Sequence, residues 1–150
     1  MPPHFSLQSI LDYHHSRVEI LEVELGKLMQ SYREMTEQLN QLNSDQERLY
    51  LELKGNQTGE LDLQKISQTR INIRKVQSDI EKQQALLKLL SQAVEAKRND
   101  LIVAKQDEAV FDKLKEKEQE RYIEKQNSIE KILQDDIYVS KAHRQKSFGA

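Results

Sequence analysis

The sequence predicts an all-α protein of two long helices, which pair as an antiparallel coiled-coil hairpin with the second helix longer and overhanging. Three observations support this prediction. Each half of the chain repeats apolar residues at alternating steps of three and four, one glycine-containing break separates the halves, and the second repeat becomes charged late in its course. Such a repeat, averaging 3.5 residues, keeps one narrow face of a helix against a partner helix.

The first predicted helix covers residues 6–54. Ser6 is a suitable N-cap, and only Gly26 weakens the run that follows. The face that repeats at three-four steps is called the first seam, and only His14 and Gln46 are polar in it. The first seam consists of Leu7, Leu11, His14, Val18, Leu21, Leu25, Leu28, Tyr32, Met35, Leu39, Leu42, Gln46, Leu49 and Leu53.

A polar break at residues 55–59 is predicted to form the turn between the helices. Gly55 is expected to adopt the left-handed conformation that closes the first helix. Asn56 or Thr58 is expected to cap the second helix, and Glu60 and Asp62 suit its positive end. A turn of this length fits a tight reversal between two helices.

The second predicted helix covers residues 60–140, and the basic tail at 141–150 is expected to be disordered, so residues 1–150 form a single coiled-coil domain. The helix has its own repeat, called the second seam. It consists of Ile66, Thr69, Ile73, Val76, Ile80, Gln83, Leu87, Leu90, Val94, Lys97, Leu101, Ala104, Glu108, Phe111, Lys115, Glu118, Tyr122, Lys125, Ile129 and Ile132.

The pairing of the two helices follows from the position of the turn. A reversal centred on Gln57 places Leu53 opposite Leu61 and Leu7 opposite Asp107. The second seam should therefore lose its partner near residue 107, and from Glu108 to Lys125 four of its six positions are charged. This agreement favours a hairpin within one chain over a parallel homodimer, and it predicts an overhang from residue 108 to residue 140.

The predicted overhang carries large apolar residues that a lone helix cannot bury, such as Phe111, Leu114 and Ile129. Exposed apolar groups of this size usually mark a binding surface. The alternative is that the end frays, or that residues 129–138 fold back onto Phe5 and the N-terminal residues.

Composition and charge exclude several classes of function. The net charge of -2 lacks the basic excess of a nucleic-acid-binding protein, and the chain has no cysteine for disulfides or thiolate metal sites. No apolar run reaches the roughly 18 residues of a membrane span, so no direct membrane insertion is expected. The N-terminus lacks the basic and apolar regions of a secretory signal, and a cytoplasmic protein is expected.

No pattern in the sequence indicates a catalytic, cofactor-binding or metal site. His4, His14 and His15 are near one another in the sequence, but neighbours on a helix point about 100° apart, and a zinc site needs three or four converging ligands. His14 falls on the first seam and is expected to be a partly buried core residue. The sequence contains no phosphate-binding glycine loop and no nucleophile motif, so we expect no enzyme and no cofactor.

Several segments resemble one family. They are Phe5-Ser-Leu-Gln-Ser-Ile-Leu-Asp-Tyr13, the glycine break, Val94-Glu-Ala-Lys-Arg-Asn-Asp-Leu101, Lys113-Leu-Lys-Glu-Lys117 and Arg121-Tyr122. Together they resemble the FliJ family of the bacterial flagellar type III export apparatus, over about residues 5–137. Of these segments, the Leu-Lys-Glu-Lys…Tyr block is the most specific.

The resemblance implies an antiparallel two-helix coiled coil that is similar to the central stalk of rotary ATPases. It implies that the end with both termini enters the ring of the export ATPase, that the hairpin contacts the membrane-embedded export gate, and that substrate chaperones are partners. The protein would then be cytoplasmic and peripheral to the inner membrane. The implied ring-facing residues are Phe5, Leu7, Phe111, Leu114, Lys117 and Tyr122.

The alternative hypothesis is a coiled-coil scaffold or tether, unrelated to export, that self-associates through the overhang. A stable dimer in light scattering would favour the scaffold and a monomer the stalk. A chaperone of the helical-hairpin type would need apolar residues at the turn, whereas residues 55–60 are polar or glycine.

Overall fold

The computed structural model describes residues 4–148, and the side chains of residues 4–146. Two helices make up nearly all of this range: α1 spans Gln8–Asn56 and α2 spans Leu63–Phe148. The described residues contain no strand. The contacts between the helices fit a hairpin in which the second helix is the longer one, so the predicted fold class is confirmed.

The turn differs from the prediction in its glycine and its cap. Gly55 lies within α1, whereas Gly59 has a φ of 94° and is the left-handed residue. Asp62 caps α2, because its Oδ1 accepts hydrogen bonds from the backbone N–H groups of Gln64 (3.1 Å) and Lys65 (3.3 Å). The turn therefore occupies residues 57–62 instead of 55–59, and α2 begins three residues later than predicted.

The two turn glycines provide a matched test of this assignment. Gly59→Ala is expected to destabilise the protein by about 1–2 kcal/mol, because a Cβ is strained at positive φ. Gly55→Ala is expected to stabilise it by about 0.5–1 kcal/mol, because Gly55 is helical and a Cβ there meets nothing within 4 Å. Urea unfolding followed by circular dichroism measures both changes. If Gly55→Ala destabilised the protein and Gly59→Ala stabilised it, Gly55 would be the left-handed turn residue instead.

The two outer ends of the helices also differ from the prediction. α1 begins at Gln8 instead of residue 6, where the N–H of Gln8 donates to the carbonyl of Phe5 at 3.0 Å. α2 continues to Phe148, through most of the tail that was predicted to be disordered from residue 141. No glycine or proline occurs between Gly59 and Gly149, so nothing in the sequence stops the helix at residue 140. The predicted tail residues 149–150 lie outside the described residues, as does the N-terminal lead at residues 1–3.

Contacts between residues group the chain into two compact units. The turn unit is Glu19–Ile102, and the termini unit comprises the described parts of Met1–Val18 and Val103–Ala150. Both helices contribute to each unit. The single domain expected for residues 1–150 stays a prediction.

The seams form the core of each unit. Every position of the first seam is buried or half-buried except Tyr32, and the same holds for the second seam from Ile66 to Tyr122. The buried apolar residues are Phe5, Leu11, Val18, Leu21, Leu49, Ile66, Ile80, Val94 and Ala104, and all except Phe5 are seam positions.

Polar contacts across the turn unit show that its helices are antiparallel. Gln83 donates through Nε2 to Oε1 of Gln38 at 3.1 Å, and Lys97 donates through Nζ to Oε2 of Glu24 at 2.8 Å. Between these two contacts the residue number on α2 rises by fourteen, from 83 to 97, while the residue number on α1 falls by fourteen, from 38 to 24. Both seam positions, Gln83 and Lys97, therefore satisfy their polar groups on the facing helix.

The register in the termini unit is one heptad away from the predicted register. The prediction placed Leu7 opposite Asp107, whereas Leu7 lines a groove with Leu114 and Glu118. Leu114 is seven residues beyond Asp107. The cause is the longer α1 and the later start of α2, which together move the point of reversal towards the C-terminus. A shift of seven residues leaves the same faces in contact, so the seams themselves are unchanged.

Candidate partner-binding surface

The termini unit contains all six residues that the sequence analysis selected, so its geometry is described from the N-terminus of α1 outward. Leu11 and Val18 are buried, with exposures of 1% and 6%, and Ala104 is buried on α2. Phe5 precedes α1 and is also buried. These apolar residues anchor the start of α1 and the turn before it to the other segment of the unit.

A shallow groove of about 200 Å³ lies beside Phe5. Apolar and charged side chains both line it, which suits a partner surface that is itself partly apolar. Its lining residues are Phe5, Ser6, Leu7, Leu114, Lys117, Glu118 and Arg121. The groove therefore brings together Phe5, Leu7, Leu114 and Lys117 from the predicted set.

Phe111 and Tyr122 are placed differently. The ring of Phe111 stacks on the imidazole of His14, with centroids 4.9 Å apart and planes 18° from parallel, and Phe111 is half-buried. Tyr13 contacts the same imidazole edge-on at 5.3 Å. Tyr122 is half-buried and is not among the groove residues. The prediction that His14 is a partly buried core residue is confirmed.

Three residues of the groove, Ser6, Glu118 and Arg121, are outside the set predicted from the sequence. Glu118 is one of the charged second-seam positions that were expected to lack a partner helix, but it is half-buried and its Oε2 has no hydrogen-bond partner among the described residues. Arg121 was quoted only as part of a motif, although its side chain lines the same groove. The correct register would have shown both, because it sets this turn of α2 beside residues 5–7.

The start of the overhang has to be corrected. Glu108, Phe111, Lys115, Glu118 and Tyr122 are all half-buried, so the second seam keeps its partner well past residue 107. From residue 123 to residue 141 every side chain is exposed. We call residues 123–141 the exposed segment of α2. The predicted overhang of 108–140 thus begins 15 residues too early, at 108 instead of 123, which is about four helical turns.

The exposed segment is rich in large apolar side chains, with exposures that range from 43% for Ile129 to 75% for Tyr138. They are Ile123, Ile129, Ile132, Leu133, Ile137, Tyr138 and Val139. This exposure contradicts the alternative in which residues 129–138 fold back onto Phe5. A concentration of exposed apolar side chains of this size is typical of a site for another molecule.

A polar cluster of His15, Glu108 and Asp112 lies in the same unit, and its two α2 residues precede the groove residues of α2 in the sequence. His15 Nε2 is 3.3 Å from Oδ1 of Asp112 and 4.0 Å from Oε2 of Glu108. Glu108 is a seam position with 25% of its side chain exposed. The cluster links α1 to two successive turns of α2 within the termini unit.

Neither described helix contains a stretch that is apolar for long enough to traverse a lipid bilayer. The carboxylates in the termini unit lie at the surface or beside an open groove. The described arrangement therefore offers surfaces for macromolecular contact: the groove beside Phe5 and the exposed segment that follows it on α2.

A family model described as "Flagellar FliJ protein" matches residues 3–147, which is nearly the whole chain. No curated protein and no solved structure matches the chain.

Proposed function

This chain belongs to the FliJ family of flagellar proteins, and from that premise we propose that it is a coiled-coil stalk that engages the export ATPase ring and links it to the export gate. Membership of the family makes the chain a component of the flagellar export apparatus. The role as a stalk and the contacts with the ATPase ring and the export gate are what we propose beyond membership of the family.

The observation that carries the proposal is the apolar surface of α2 beyond Tyr122. Seven large apolar side chains are exposed between Ile123 and Val139, on a helix that continues past the last residues packed against α1. Exposed apolar side chains in such number usually mark a surface that a partner covers. The partner that we propose for these side chains is the export ATPase ring.

The groove beside Phe5 supplies the polar part of the same contact. Lys117 and Arg121 offer cations and Glu118 offers a carboxylate beside the apolar residues of the groove. Charged groups of both signs at the rim of an apolar contact fix its orientation more than its strength. We therefore assign orientation of the stalk to the groove and affinity to the exposed segment.

The mechanism we propose is mechanical or allosteric and involves no catalytic residue in this chain. The stalk binds unequally to the conformations that ring subunits adopt during ATP hydrolysis, and this difference in affinity biases the cycle. Hydrolysis takes place on the ATPase, and the chain needs no cofactor for this role. The export gate and substrate chaperones are further proposed partners, without assigned residues, and the proposed location is cytoplasmic and peripheral to the inner membrane.

The groove is tested by Leu114→Asp. Leu114 is 42% exposed and lines the groove, so an aspartate is expected to leave the helices intact while placing a charge on the apolar floor. We expect the affinity for the export ATPase, measured by surface plasmon resonance, to fall about fivefold, because most interface residues outside the main anchors contribute no more than about 1 kcal/mol.

The matched control is Val103→Asp, which adds the same charge at an exposed position of α2 that is not part of the groove. It is expected to bind the ATPase like the unchanged chain. Equal affinities for all three proteins would remove the groove from the interface.

A further inference from the structure

The structure brings together three metal-ligating side chains that are distant in sequence: His15 on α1, and Glu108 and Asp112 on α2. We propose that these residues form a binding site for a divalent transition-metal ion of the zinc class, which bridges the two helices of the termini unit. The proposal goes beyond the stalk function and does not depend on it.

The geometry is close to that of a bound ion. One ligand atom from each of the three residues lies within 4.8 Å of the other two, with His15 Nε2 at 3.3 Å from Asp112 Oδ1 and 4.0 Å from Glu108 Oε2. Zinc ligands lie about 2.0–2.2 Å from the metal, so tetrahedral ligands are about 3.3–3.5 Å apart. The His15–Asp112 pair already has this separation, and the Glu108 carboxylate would have to move closer to His15 for tetrahedral coordination.

The positions in the helices favour convergence. Glu108 and Asp112 are four residues apart, so their side chains lie on one face of α2, one above the other. His15 faces them from α1. The side chains of His15 and Asp112 are 44% and 51% exposed, which leaves an approach for the ion and a fourth coordination position for water.

The chemistry of the three ligands selects the class of metal. Two carboxylates balance the charge of a divalent ion, and an imidazole nitrogen favours zinc and its neighbours over calcium and magnesium, which prefer oxygen ligands. Glu108 also stands at a seam position, where an apolar residue would pack better. A ligand role accounts for a carboxylate at that position. A simple histidine–carboxylate ion pair is the competing explanation.

An ion at this site would tie the start of α1 to α2 one turn before the groove beside Phe5. Because the site needs residues from both helices, an unfolded chain lacks it, and metal binding would stabilise the folded termini unit. Zinc occupancy would therefore be visible as a rise in melting temperature as well as in direct binding.

The test is isothermal titration calorimetry of the full, untagged chain with zinc chloride. We expect one saturable site, with affinity reduced at least about tenfold in His15→Ala and in Asp112→Asn, since even indirect supports of a metal site change affinity 10–100-fold. The control is Glu116→Gln with Glu120→Gln, which removes two exposed carboxylates of the same spacing and should bind zinc like the unchanged chain.

Thermal unfolding separates a specific site from weak surface binding. Zinc is expected to raise the melting temperature of the unchanged chain and of the control, with reversal by EDTA, and to leave that of His15→Ala unchanged. The absence of saturable binding, or equal zinc affinity in His15→Ala and the unchanged chain, would overturn the proposal and leave an ion pair at this position.

Discussion

Leu21→Ala is expected to lower the free energy of unfolding by about 2–5 kcal/mol, the range measured for truncation of fully buried leucines. Leu21 is 1% exposed and stands on the first seam in the turn unit. The truncation removes apolar contacts and leaves a cavity that two stiff helices cannot easily close. Because small proteins are stable by only about 5–15 kcal/mol, this single change is a large fraction of the total.

The neighbouring residue provides the control for Leu21. Ile20 has a side chain of similar size but is 51% exposed, so Ile20→Ala is expected to change the unfolding free energy by no more than about 0.5 kcal/mol. Urea unfolding followed by far-ultraviolet circular dichroism measures both variants. Similar losses for the two would contradict the assignment of the seam as the core.

The second large effect is expected from Ile129→Asp combined with Ile132→Asp in the exposed segment of α2. The two side chains are 43% and 60% exposed, so the substitutions cost only the small helix propensity of aspartate. Each removes an apolar anchor worth about 2 kcal/mol at a partner interface, so ring affinity should fall on the order of 100-fold or more. Affinity for the export ATPase and far-ultraviolet circular dichroism of the free chain are the two readouts.

The matched control adds the same charge to the same segment and spares its apolar residues. Asn127→Asp with Gln134→Asp introduces two carboxylates and is expected to bind the ring like the unchanged chain.

Light scattering on the unchanged chain tests the rival hypothesis of a scaffold that self-associates through the exposed segment. The stalk proposal expects the monomer mass of 17.6 kDa, whereas a stable dimer that dissociates in the Ile129→Asp/Ile132→Asp variant would favour self-association.

The seams were predictable because a three-four repeat of apolar residues has one physical interpretation. Every first-seam position except Tyr32 is buried or half-buried, and so is the second seam from Ile66 to Tyr122. Tyr32 is 37% exposed, since its long side chain reaches past the contact. The hairpin was also predictable, because one break in a periodic chain allows one reversal.

The register was not predictable from the repeat. Sliding one helix past the other by seven residues superimposes the same seam positions, so periodicity cannot distinguish neighbouring registers. The turn would have decided it, but Gly55 and Gly59 both suit a left-handed residue in the sequence, and only the structure gives Gly59 the positive φ. The early charges at Glu108 and Lys115 then appeared to support the wrong register.

The wrong register also hid the cluster at His15. A reversal centred on Gln57 places His15 opposite Asn99, far from any pair of carboxylates on the same helix face. In the structure His15 lies beside Glu108 and Asp112 instead. A polar seam residue is therefore weak evidence for a missing partner, because a histidine on the facing helix can satisfy it.

The most direct test of the stalk proposal is the rate of ATP hydrolysis by the purified export ATPase as the full chain is added. We expect the rate to rise and saturate with the unchanged chain. At concentrations that saturate the unchanged chain, the Ile129→Asp/Ile132→Asp variant is expected to give no stimulation, and the Asn127→Asp/Gln134→Asp control is expected to stimulate normally. A rate that does not respond to the unchanged chain, or that responds equally to all three proteins, would contradict coupling through the exposed segment of α2.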